Sequence, residues 1–217
     1  MFTTPHRDSI LGVMAGTTYT GFSSFVGLLT VITNWRTPTV TEASYTGYAT
    51  RPGITFGAAA DTSPAGGRQR ANSALCTFPQ NTGTTQDMIG YGIYDASTAG
   101  NLKGIGLMDA DVPILGVAND TTTEDLIAPA HGLSTDQRVF VLAAPGAVIP
   151  TGLAENTAYF VLAVGLTTDQ FRLAATSGGA AINITAKGAA LFIPYTALTV
   201  ANLATPEFAI GTIIVQV

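Results

Sequence analysis

After residue 16, almost every segment of this chain is a short run of β-branched, aromatic and aliphatic residues closed off by Gly, Pro, Asn, Asp or Ser. Such runs alternate their side chains across a sheet and are too interrupted to carry the apolar stripe of a helix, so they dictate an all-β fold. The expected strands are Phe25–Ile32, Tyr48–Phe56, Ser73–Phe78, Met88–Tyr94, Leu102–Met108, Arg138–Ala143, Tyr159–Val164, Gln170–Ala174 and Ile210–Val217. Between them, "NWRTPTVTEAS", "AAADTSPAGGRQRAN" and "PQNTGTTQD" are dominated by turn residues, and Gly57 to Asn72 reads as a long loop. One short helix is expected at the N-terminus, with Thr4 as cap, Pro5 in the first helical position and Gly16 as stop. Its stripe of Ile10, Leu11 and Met14 is too short to hold in isolation and needs a surface to dock on.

The texture changes near Gly116. From there to Leu191 the strands come closer together, with Pro150, Gly152, Gly178 and Gly179 at the turns, and the earlier style returns afterwards. This pattern predicts a β-sandwich-like host domain, residues 1–116 plus 192–217, carrying a second, smaller inserted β domain over 117–191. A single large sandwich is the alternative.

The stretch "MIGYGIYDASTAGNLKGIGLMD" reads as a hairpin around "DASTAGN". Pairing Tyr94 with Leu102 puts Gly90, Gly92, Gly104 and Gly106 on one face and Ile89, Tyr91, Ile93, Lys103, Ile105 and Leu107 on the other. Glycine inside a strand often marks a bend or a close approach of other backbone. The glycine face is therefore expected to be a close-packing interface, a floor for the N-terminal helix or a neighbouring subunit.

Chemistry is sparse. Two histidines, His6 and His131, have no second histidine or cysteine at ligand spacing, and the single Cys76 in "SALCTF" reads as buried and inert. Neither a G-x-S-x-G elbow nor a phosphate loop is present. Glu124 with Asp125 would point to opposite faces of a strand, and Asp109 with Asp111 falls short of a calcium loop. No catalytic site, cofactor or metal is expected, hence no enzyme. Charged residues make up 11% of the chain against roughly 25% in ordinary soluble domains, with net charge −5. That balance argues against nucleic acid, and no apolar run approaches the roughly 20 residues that span a bilayer. The N-terminus lacks the features of a secretion signal. Trp35, in a Pro- and Thr-flanked loop, is the one aromatic residue singled out as exposed enough to stack on a sugar.

Three segments in order, "YTGYATRPGITFG", "ANSALCTFPQ" and "MIGYGIYDASTAGNL", resemble a family of bacteriophage tail fibre proteins. The matching positions are Tyr48, Arg51 and Phe56, then Asn72, Phe78 and Pro79, then Ile93, Asp95, Ala96, Gly100, Asn101 and Leu102. Pro52 departs from the pattern and would interrupt pairing unless its strand lies at an edge. The segment 117–191 is similar to a β module recurring in phage virion proteins, through His131–Leu133, Pro150–Ala154, Thr157–Val161 and Phe171–Leu173. The resemblance implies a non-enzymatic virion protein, made in the host cytoplasm and assembled into an external fibre or spike. It also implies a homo-oligomer, expected to be trimeric, that contacts other virion proteins. A capsid decoration protein is one alternative and a receptor module for host surface glycan another.

Overall fold

The structure is a computed structural model that describes residues 23–33, 37–62, 67–118 and 122–216. The expected N-terminal helix, His6 and Trp35 lie outside these residues. The described residues form strands and connections and no helix, which makes the protein all-β.

In chain order the strands are β1 Ser24–Thr33, β2 Thr39–Glu42, β3 Gly53–Ile54, β4 Ala60–Thr62, β5 Gly67–Ala71, β6 Cys76–Thr77, β7 Gln86–Met88, β8 Gly90–Tyr94 and β9 Leu102–Leu107. Then follow β10 Ile114–Ala118, β11 Leu126–Ile127, β12 Arg138–Ala143, β13 Thr157–Val161, β14 Gln170–Phe171, β15 Leu173–Ala174 and β16 Gly188–Tyr195. The last three are β17 Leu198–Val200, β18 Glu207–Phe208 and β19 Ile214–Gln216.

These strands pack into two compact units. The first takes the described residues up to Val31, Val40–Gly106 and those from Leu198 onward; the second takes Leu107–Ala197 and Ile32–Thr39. The sequence reading placed the boundaries at 117 and 191. Here β10 falls in the second unit because it pairs along its whole length with β16, from Ile114 opposite Phe192 to Ala118 opposite Gly188.

The first unit is built on a sheet of order β2-β1-β8-β9, with β3 also paired to β1. β1 is its central strand, so Val26, Gly27, Leu28 and Leu29 are buried in succession rather than in alternation. The expected long strand Tyr48–Phe56 shrinks to β3, because Pro52 has no amide to donate and its carbonyl accepts from Val26 N instead. The expected loop from Gly57 to Asn72 contains the hairpin β4–β5, completed by β19 from the far end of the chain. Two further ribbons, β17–β7 and β18–β6, tie the C-terminal segment to the middle of the unit.

The second unit is a seven-stranded sheet of order β14-β11-β10-β16-β12-β13-β15. Its two edge strands are separated in sequence by Arg172 alone, so the sheet curls into a nearly closed barrel. Inside lie Val139, Val141, Tyr159, Val161, Phe171, Leu173, Ala190 and Phe192. Phe171 packs edge-on against both Phe192 and His131, each with centroids 5.2 Å apart. Gly116 permits this packing, since a β-carbon there would stand 2.6 Å from the Phe192 ring.

Candidate functional site

The fibre-like motif segments converge in the first unit on a stack of side chains above β1 and β8. Gly27 of β1 lies directly opposite Gly92 of β8. Tyr94, two residues beyond Gly92 on the same face, leans its ring back over this pair: a β-carbon would approach the ring to 2.9 Å from Gly27 and 2.7 Å from Gly92. The Arg51 guanidinium lies over that ring at 3.6 Å from its centroid. Glu42 then grips Arg51 through two bonds of 2.8 Å, from Nε to Oε1 and from Nη2 to Oε2. Tyr48 donates its hydroxyl hydrogen to Glu42 Oε1 at 2.5 Å and accepts from Leu28 N at 3.1 Å.

The electrostatics follow from this half-buried geometry. Burial pulls the Arg51 guanidinium down, but the Glu42 hydrogen bond and charge more than offset it, so its ordinary value is raised. Burial first, and the Glu42 contact second, hold the Tyr48 hydroxyl well above the usual phenol range. Burial and the Glu42 charge push Tyr94 up to about 12. Arg51 therefore stays charged and Tyr48 and Tyr94 stay protonated around neutral pH, which suits a clamp and not a proton shuttle.

Arg51 also reaches the hairpin loop, donating from Nη1 to Ala96 O at 3.0 Å and from its backbone N to Ser97 O at 3.1 Å. The loop closes on itself through Asp95, which accepts from Asn101 N at 2.6 Å and Asn101 Nδ2 at 3.0 Å and pairs with Lys103 Nζ at 3.0 Å. These contacts, Asn101 first and Lys103 after it, hold the Asp95 carboxyl down at about 2 against the opposing effect of burial. Gly100 is required here because a β-carbon would stand 2.6 Å from Ala96 N.

The remaining motif positions also turn inward. Phe78 stacks on Tyr48 at 6.3 Å and meets Phe208 edge-on at 5.8 Å, while Pro79 O accepts from Tyr45 OH. Phe56 bridges to Asn72, away from the stack. Asn72 is buried and donates Nδ2 to Ala74 O and Ala209 O, with Oδ1 accepting from Ile213 N. Ile93 is buried in β8.

Sequence reasoning missed Glu42, which looked like one polar residue in a loop, and Asn81. The latter is fully buried, donating Nδ2 to Thr84 O and Val200 O and accepting at Oδ1 from Gly83 N. Its position in "PQNTG", two residues before a glycine, was the available signal.

At Gly92 and Gly106 the space over the glycine is taken by side chains of the same unit. Gly92 is closed by Tyr94 and by Leu102 Cδ1, at 2.7 and 2.8 Å from an added β-carbon, whereas Gly106 is closed by the Tyr91 ring at 2.5 Å. Tyr91 and Tyr94 stand three residues apart on β8 and project to opposite faces. Gly90 and Gly104 are both buried. Side chains of the same unit fill the space at Gly92 and Gly106 because glycine beside tyrosine in a strand leaves room for the ring to fold back.

The other residues of chemical interest are placed as follows. Cys76 is buried, and burial pushes its thiol up to about 11. His131 Nδ1 accepts from Leu133 N at 2.9 Å, so Nε2 carries the hydrogen and faces Gln170 O at 3.3 Å. Asp125 and Glu124 both face Arg172, at 2.6 and 3.8 Å. Asp109 and Asp111 line a shallow polar cleft of about 240 Å³ with Gln137, Pro194, Tyr195 and Thr196. No group of three or more His, Cys, Asp or Glu that could hold a metal occurs among the described residues.

The motif positions, with their order and their shared packing, can now be set against known families. A model of the podophage GP4 fiber I protein gp80 family matches residues 3–123, more than half of the chain. The chain belongs to that family. No curated protein and no solved structure matches it. The matched residues include every tail fibre motif position named above and end between β10 and β11. In this fibre-family chain the motif residues Tyr48 and Arg51 join Glu42 and Tyr94 in the stack, and Asp95, Gly100 and Asn101 form the hairpin loop.

Proposed function

We propose that this protein is a non-enzymatic structural subunit of a phage particle, part of an external fibre, and that it works as a homo-oligomer bound to other virion proteins. The observation that carries the structural role is the internal use of the family motif. The polar groups of Tyr48, Arg51, Asp95 and Asn101 spend their bonds on this chain's own side chains and backbone. A motif that presented catalysis or a ligand site would leave such groups facing a cleft.

Self-association rests on the second unit. Its central strands are apolar on both faces, as expected of strands covered on both sides. Val141, Ala190 and Phe192 face the barrel interior, while Leu142, Leu191 and Leu115 form a cross-strand row on the outside beside Val117 and Ile127. Leu115 is 54% exposed and Ile127 37%. An apolar row of this kind suits another subunit.

Three measurements test the proposal. Antibody labelling of intact particles viewed by electron microscopy should mark fibres; label spread over the capsid lattice would replace the fibre reading with a decoration protein. Sedimentation of the purified protein should show an oligomer that Leu115→Glu with Ile127→Glu reduces to a monomer of unchanged circular dichroism. A wild-type chain that stays monomeric at high concentration would refute self-association. Release of reducing ends from host surface polysaccharide, abolished by Glu124→Ala or Asp109→Ala, would overturn the non-enzymatic reading.

A further inference from the structure

We draw no further inference here: the strongest candidate, the shallow polar cleft of the second unit lined by Asp109, Asp111, Gln137 and Thr196, rests on two exposed carboxylates, with no buried unpartnered polar side chain among the described residues directed into it.

Discussion

Gly92 has no room for a β-carbon, and the reason is a ring with little room to retreat. Tyr94 is packed against Arg51, which Glu42 holds in turn, so the ring has little freedom to relieve a clash at 2.7 Å. Gly92→Val is expected to destabilise the protein by about 1 to 3 kcal/mol through overpacking, against a gain in strand propensity of at most about 1 kcal/mol. Thermal unfolding decides the sign, and a melting temperature equal to wild type would mean the ring is free to move. Asp95 supplies a pH test at the same scale. Its carboxyl lies at about 2 in the folded chain and 3.8 as an ordinary value, so its stabilisation is complete above about pH 4 and is lost as pH falls through about 2. Asp95→Asn should flatten the acid-unfolding profile across that interval. An unchanged profile would assign the acid sensitivity to other carboxylates.

At the scale of elements, the C-terminal segment is held by two buried asparagines more than by its short strands. β17 and β18 are brief, yet Asn81 binds Val200 O and exchanges backbone bonds with Leu203 and Ala204, and Asn72 binds Ala209 O and Ile213 N. Asn72→Ala or Asn81→Ala leaves buried backbone groups without partners, at a cost of about 1 to 3 kcal/mol per lost partner. Amide hydrogen exchange should then rise at Ile213 and Gly211 for Asn72→Ala, and at Leu203 for Asn81→Ala, before the core of β1 and β8 is affected. Uniform acceleration over the whole chain would show that the segment does not open separately. β5 shows a related dependence. Its sequence, GRQRA, reads as loop by composition and is a strand because β4 and β19 pair with its two sides.

At the scale of the whole molecule, the first unit is discontinuous in sequence, and the points where its chain leaves after Gly106 and returns at Leu198 both lie beside the β7–β8 stretch. Leu198 pairs with Met88, and the end of β9 lies beside the start of β8 at Gly90. Replacing residues 107–197 with a short Gly-Ser linker is therefore expected to leave a cooperatively melting β-rich protein, read by circular dichroism. Loss of the cooperative transition would show that the first unit needs the second in order to fold.

The sequence alone determined the all-β class, the strands β1, β8, β9 and β12, the inert Cys76 and the fibre-family motif. Each of these rests on local information: alternation, turn residues and the order of a few side chains. Tertiary structure decided where the motif side chains go. Tyr94 is distant in sequence from both Glu42 and Arg51, and only the pairing of β1 with β8 sets Gly27 against Gly92 so that the ring, the guanidinium and the carboxylate can stack above them. The same reason hid β5, Asn81 and the buried role of Asn72. Each asparagine has local partners as well, but those that complete its burial lie 119 to 141 residues away, and its buried role exists only once that distant backbone arrives.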